Sequence, residues 1–269
     1  MPAVDPARLE RQIRHVTEVF ADPVRLRSRT ADLLEFYGNR VRPSASGGRT
    51  GSLRSLGVPT AVLRALQQAL EEQAAADPHA GAMAAETLWT SSVLEARWLA
   101  VSLLERQSVH TLPSWIVDWS ETAEDPDLVA RLATGPMRRL WHGAPDLFWE
   151  CAAANLQTAG SSTAVTLLAL QHIIPDLEAD DLPRVFEILE ASPVPVAGEA
   201  WRAYLDVVRV CARRSPAETA RFLVDAIENA RPGATRAARQ TLSEFPPRQR
   251  DALRHALRLS ESRSRTSSA

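Results

Sequence analysis

Lysine is absent from this chain of 269 residues, and all 31 basic residues are arginine. Schiff-base enzymes, pyridoxal-phosphate enzymes and P-loop nucleotide hydrolases each need a lysine amine, so these classes are excluded. No apolar run approaches the roughly 20 residues that span a bilayer, and the N-terminus lacks the charged and apolar segments of an export signal. The sequence therefore predicts a soluble, cytoplasmic protein with no membrane partner.

Residues that bind metals or act as nucleophiles are also few. The two cysteines, Cys151 and Cys211, lie in apolar, alanine-rich sequence, and we expect buried reduced thiols rather than a disulfide. The six histidines are scattered without a metal-ligand spacing. A serine-hydrolase G-x-S-x-G motif and its preceding strand are missing. We expect no metal and no cofactor.

Charge is distributed unevenly along the chain. Residues 1–64 carry 11 arginines against 6 acidic residues, and residues 201–269 carry 14 against 7. The middle, residues 65–200, carries 6 arginines against 20 acidic residues. A polyanion would be attracted to the two ends and repelled by the middle, unless folding places the charges on different faces.

Helix signals follow one another from end to end. Asp-Pro pairs mark helix starts at 5–6 and 22–23, Gly38 ends the second helix, and Gly135-Pro136 is one of several further breaks. Apolar residues recur at helical spacing, as at Leu63, Leu66 and Leu70, and no stretch alternates as a strand would. The pattern predicts an all-α protein, a HEAT-like α-solenoid of antiparallel helical hairpins, with a compact bundle as the alternative.

The domain boundaries follow from composition. Residues 1–260 are predicted to form a single HEAT-like helical-repeat domain. Within it, residues 39–58 are rich in serine, glycine and arginine and are expected to form a mobile loop. Residues 261–269 are expected to form a disordered tail.

Two sets of side chains are candidates for chemistry. Asp125 and Asp127 belong to an acidic cluster at a helix start, where a favourable interaction with the helix N-terminus is the alternative to a general-base role. The spacing of Arg202, Arg209 and Arg213 puts them near one helix face, either as a track for phosphates or as a solvated surface.

The seven tryptophans are the second unusual feature of the composition, since the chain has only two tyrosines. Most lie at positions that fit apolar helix faces, so packing between helices is one interpretation. The other is that some line a binding face, where an indole stacks on a base. Trp201, next to Arg202, is the candidate for such a nucleic-acid contact.

Several segments, in this order along the chain, resemble the HEAT-like DNA alkylation repair glycosylases. They cover roughly residues 20 to 258 and are Ser55-Leu56-Gly57-Val58-Pro59-Thr60, Leu94-Glu95-Ala96-Arg97-Trp98-Leu99-Ala100, Trp119 through Ala133, and Arg248 to Leu257. The resemblance implies stacked helical hairpins with a basic groove for duplex DNA. It also implies hydrolysis of the glycosidic bond of a cationic N-alkylated purine, a monofunctional reaction that needs no lysine.

The sequence departs from the family at its active site. The family's Trp-Asp-Leu-Val-Asp core aligns without a gap with residues 126–130, so that Pro126 replaces the tryptophan and Ala130 the second aspartate. Alanine can neither stabilise an oxocarbenium ion nor activate water. In a later helix, Glu150-Cys151 replaces the family's basic pair.

Three functions follow, in decreasing order of support. The first is a DNA alkylation repair-like protein that binds duplex DNA and whose base-excision activity is weak, altered or lost. The second is a non-enzymatic helical-repeat scaffold that binds a protein or peptide partner. The third is an alkylpurine glycosylase with relocated residues, in which Asp125 or Asp127 supplies the carboxylate.

Overall fold

The structure is a computed structural model that describes residues 5–38, 53–157 and 160–266. The chain divides into two compact units, Met1–Pro145 and Asp146–Ala269. Within the described ranges the secondary structure is helical, and its one β-type contact is an isolated bridge between Arg54 and Val93. The predicted all-α class is therefore confirmed, as a helical-repeat fold. The single domain and the HEAT-type solenoid stay predictions.

The described part of the first unit is mostly helical, and neighbouring helices pack both in succession and two positions apart, as in a repeat. The helices are α1 (Pro6–Thr17), α2 (Pro23–Tyr37), α3 (Thr60–Ala76), α4 (Pro78–Trp89), α5 (Leu94–Leu104), α6 (Leu112–Thr122), α7 (Pro126–Leu132) and α8 (Arg138–Gly143).

The second unit is built in the same way from longer helices, of which α12 packs on both α10 and α13. Its helices are α9 (Pro145–Gln157), α10 (Ser161–Ile173), α11 (Leu182–Ala191), α12 (Gly198–Arg214), α13 (Pro216–Glu228), α14 (Ala234–Thr241) and α15 (Pro247–Thr266).

Asp-Pro pairs begin four helices of the first unit. In α1, α2, α4 and α7 the aspartate is the N-cap and proline is the first helical residue. Each carboxylate accepts a hydrogen bond from a backbone N–H of the first turn; in α4, for example, the Ala80 N–H donates to Asp77 Oδ1 at 3.0 Å. Because the proline lacks an N–H that would otherwise be unsatisfied, the pair fixes the start of the helix. The starts predicted at 5–6 and 22–23, and the end of α2 at Gly38, are confirmed.

The predicted break at Gly135-Pro136 is wrong. The chain stays helical from α7 to α8 through a π-helical turn, Ala133–Met137. A proline inside a helix removes one backbone hydrogen bond, and the wider π turn accommodates this loss without ending the helix. The sequence pattern could not show this, since a Gly-Pro pair usually ends a helix.

The core is formed by the apolar faces of these helices. In α3 the buried residues are Val62, Leu66 and Leu70, so Val62 takes the position expected for Leu63. Cys151 and Cys211 are buried free thiols, as predicted. Burial raises the pKa of each to about 12, which keeps both thiols protonated and unreactive.

Further expectations from the sequence concern the loop, the tail, membrane-spanning helices and metal ligands. The predicted mobile loop has residues 39–52, and the predicted tail has residues 267–269, outside the described ranges. Residues 53–58 of that loop are described and contact α5, and α15 continues to Thr266. Among the described helices, none combines the length and apolar character needed to cross a membrane. The described side chains also bring together no group of three ligands for a metal ion.

Candidate nucleic-acid interface

Glu95, in the first turn of α5, is a buried carboxylate that holds the segment before α3. Its side chain is 1% exposed. Oε1 accepts the Ser55 hydroxyl at 3.0 Å, the Leu56 N–H at 2.9 Å and the Gly57 N–H at 2.8 Å. Gly57 has a φ of 66°, which favours glycine at this position. Hydrogen bonds to an ionised acceptor are the strong ones, so this contact fixes the path of residues 55–57.

The second charged residue of this motif, Arg97, is also used within the fold. Its Nε donates to the carbonyl oxygen of Ser91 at 2.9 Å, and its guanidinium lies 5.0 Å from the ring centroid of Trp89. Two of the segments that carry the family resemblance, 55–60 and 94–100, are therefore in direct contact. In the structure, Glu95 and Arg97 are both used in contacts that hold backbone atoms, so neither is a free catalytic group.

The tryptophans next to this motif form a packed stack. The rings of Trp89 and Trp119 are parallel with centroids 4.3 Å apart, and Trp115 meets Trp119 edge-on at 5.4 Å. Trp89 donates from Nε1 to the hydroxyl of Thr122 at 3.2 Å. Since Trp89 and Trp119 are buried, this group acts in packing between helices, the first of the two interpretations from the sequence.

Asp125, one of the two carboxylates predicted as candidates, is the N-cap of α7. It is 3% exposed, and its Oδ1 accepts the backbone N–H of Asp127 at 2.9 Å. A capping carboxylate of this kind stabilises the helix start and is already occupied by that task. The structure thus gives Asp125 the helix-start role that the sequence offered as its alternative.

The remaining positions of the family core lie on α7 itself. Asp127 is exposed. Its negative charge acts to raise the pKa of Arg131, one turn further along the helix. Pro126 is the first helical residue, and Ala130, at the position of the family's second aspartate, is exposed on the surface. At the position that the sequence resemblance assigns to the acid, α7 presents a methyl group.

Glu105, at the C-terminal end of α5, is a carboxylate that the sequence did not single out. It lies against the π-helical turn, where a Cβ built on Gly135 would come within 2.4 Å of its Oε1. Removal from water, and then the charge of Glu71, raise the pKa of Glu105, while nearby arginines act in the opposite direction. The side chain makes no hydrogen bond or ion pair with any described residue.

Arginines surround this carboxylate. Arg106 is paired with Glu71 at 2.5 Å, and burial lowers the pKa of both Arg131 and Arg139. The guanidinium of Arg131 lies 4.5 Å from the ring centroid of Trp98. Perturbed titratable groups beside a π-helical turn are typical of functional sites. Gly135, where the sequence predicted a helix break, is the only sequence feature that pointed to this cluster.

The arginines predicted as a phosphate track all lie on α12. Arg202 is exposed and makes no ion pair with a described residue. Arg209 is paired with Asp206 at 2.6 Å, and Arg213 with Glu244 at 3.3 Å. Two of the three positive charges are therefore partly neutralised by carboxylates of the same unit.

Trp201, the predicted aromatic contact, is inside the second unit. It is 4% exposed, packs on Tyr204 and is covered by the guanidinium of Arg236, 4.4 Å from its ring centroid. Stacking of this indole on a base would require Arg236 to move away. In the structure as it stands, Trp201 supports α12 from its buried side.

Residues 49–242, more than half of the chain, match the DNA alkylation repair enzyme family. Comparison with curated proteins and with solved structures gives no match. The chain therefore belongs to the DNA alkylation repair enzyme family, and the resemblance seen in its sequence is confirmed. It is a DNA alkylation repair-like protein.

Proposed function

We propose that this protein binds duplex DNA and that its excision of alkylated purines is weak or lost. The observation that carries the proposal is the exposed Ala130 at the position that the resemblance assigns to the acid, in a chain that belongs to the family. A duplex is the substrate that the family implies, and arginine is the side chain best suited to phosphate.

Binding would use the arginine face of α12. Phosphate contacts from guanidinium groups release counterions and supply most of the affinity for a duplex, with little dependence on sequence. Arg202 is ready for such a contact, whereas Arg209 and Arg213 must exchange a carboxylate for a phosphate. The exchange makes their contributions smaller than that of Arg202.

The geometry of α7 supports the proposed loss of excision. Hydrolysis of an N-glycosidic bond needs a carboxylate close to the sugar, where positive charge develops. Asp125 is buried and holds the helix start, and Asp127 lies about three residues earlier on the helix than the family's acid. A displacement of about 1 Å costs on the order of 100-fold in rate, so neither is a good replacement.

The test of binding is a titration of labelled duplex DNA, followed by fluorescence anisotropy at several salt concentrations. We expect binding at low salt, with an affinity that falls as salt rises and a slope that counts the phosphate contacts. A slope near zero, or no binding at about 50 mM salt, would contradict DNA binding. The helical-repeat scaffold for a protein or peptide partner would then be the better proposal.

A further inference from the structure

The second unit contains an open groove between α11 and α13. Its volume is about 650 Å³, within the range of sites that hold a ligand or a few side chains. Phe186 of α11 and Phe222 of α13 meet across its floor, with ring centroids 5.5 Å apart. Leu182 and Pro183 extend this apolar floor along α11.

The walls of the groove are two matching helix faces. On α11 the lining residues lie at positions 183, 186, 187 and 190, and on α13 at 218, 221, 222 and 225. Both sets follow the i, i+3, i+4, i+7 spacing of a single helix face. Each wall therefore presents one phenylalanine at the floor. Charged lining residues lie one turn away on both sides of Phe222, and next to and one turn after Phe186.

Carboxylates dominate these charges. The four acidic lining residues are exposed, and none of them makes an ion pair with a described residue: Glu187, Glu190, Glu218 and Asp225. Of the two basic lining residues, Arg214 donates to the backbone carbonyls of Pro175 and Leu177. Arg221 lies beside Glu218 on α13. The groove is left with an excess of negative charge above an aromatic floor.

We propose that this groove binds an arginine- or lysine-rich peptide segment of a partner protein. A polyanion such as DNA is repelled by the four carboxylates, so the function goes beyond the one proposed for α12. A guanidinium or ammonium group entering the groove meets carboxylates from both walls and the half-buried ring of Phe186. An aliphatic side chain of the same segment would cover the apolar floor, as in other helix-lined peptide grooves.

The experiment uses the full chain and a short fluorescein-labelled peptide of alternating arginine and leucine, followed by anisotropy. The groove variant is the double substitution Glu187→Gln and Glu218→Gln. The matched control is Glu72→Gln with Asp118→Asn, which removes two exposed carboxylates outside the groove. Thermal unfolding by circular dichroism shows that both variants fold.

We expect the groove variant to bind the peptide roughly 3- to 10-fold more weakly than the control pair, because each removed contact is an exposed ion pair. Glu187→Arg, which reverses one wall charge, should weaken binding further. Duplex DNA binding should be equal in the groove variant and the control pair, so this test and that of the proposed function fail independently.

Equal peptide affinity of the two double variants would overturn the proposal, because it would show attraction to the acidic surface in general. The proposal would also be overturned if the wild-type chain formed a dimer in sedimentation that the groove variant abolished. In that case a second copy of this chain would be the occupant.

Discussion

Helices α5 and α7 both carry segments that resemble the family, and they differ in what their side chains do in the structure. On α5 the glutamate and arginine of the segment that resembles the family hold backbone atoms of neighbouring segments. On α7, Pro126 and Ala130 stand at the positions that the resemblance assigns to the family's tryptophan and second aspartate. The first segment is therefore used in contacts within the fold, whereas the second offers no carboxylate at the position assigned to the acid.

The difference shows that a family match supports the fold of a chain and does not by itself establish its catalytic activity. The match covers residues 49–242, a range that includes both helices. Catalysis depends on one carboxylate at one place, and it can be lost without any effect on the core. Binding of DNA requires only a surface charge pattern, so it can outlast the chemistry.

Replacing the buried anchor should give the largest effect. We expect Glu95→Ala to lower the free energy of unfolding by about 3 kcal/mol, because the Leu56 and Gly57 N–H groups lose a charged acceptor. Glu95→Gln keeps one acceptor oxygen and should cost less. Urea unfolding followed by circular dichroism measures both. Glu72→Ala, at an exposed site, is the control and should change stability by less than about 0.5 kcal/mol. If Glu95→Ala matched this control, the anchoring role would be wrong.

Restoring the acid on α7 comes next. Ala130→Asp places a carboxylate at the family's position, and we expect release of 7-methylguanine from alkylated duplex to rise by on the order of 10-fold over the wild type. Asp127→Asn should leave release unchanged. A loss of release in Asp127→Asn would instead support a glycosylase with relocated residues.

Smaller effects are expected on α12. At about 100 mM salt, Arg202→Ala should weaken duplex binding roughly 3- to 5-fold and reduce the salt slope by about one phosphate contact. Arg209→Ala should cost less, because Asp206 already shares that charge. Anisotropy titrations compare the two. A larger loss from Arg209 than from Arg202 would contradict this order of contributions.

The smallest effect concerns Glu105. Its pKa is raised in the folded chain, so the ionised carboxylate destabilises the fold at neutral pH, and protonation removes this cost on acidification. Glu105→Gln should therefore stabilise the fold slightly at pH 7 and raise the melting temperature. The gain should be well under about 1 kcal/mol, because the residue as a whole is exposed and solvent screens its charge, although its carboxylate is partly withdrawn from water. The gain should vanish below the ordinary glutamate pKa of about 4.3. A gain that persists there would refute the electrostatic explanation.

Local signals explain what the sequence could reveal. The Asp-Pro starts and the helical spacing depend on neighbouring residues, so the helices could be predicted. The π-helical turn could not, because a Gly-Pro pair usually ends a helix and the close approach of Glu105 to Gly135, thirty positions apart in the chain, is a tertiary contact. The pairing of Arg209 and Arg213 and the burial of Trp201 are likewise set by tertiary packing, which spacing along one helix does not show.

The most direct measurement uses a duplex that contains a single 7-methylguanine, held saturated by excess protein at low salt under single-turnover conditions. Our account predicts that the duplex stays bound while the alkylated base remains attached, at the rate of spontaneous loss. Base release clearly faster than in the protein-free duplex, with Ala130 unchanged, would contradict it.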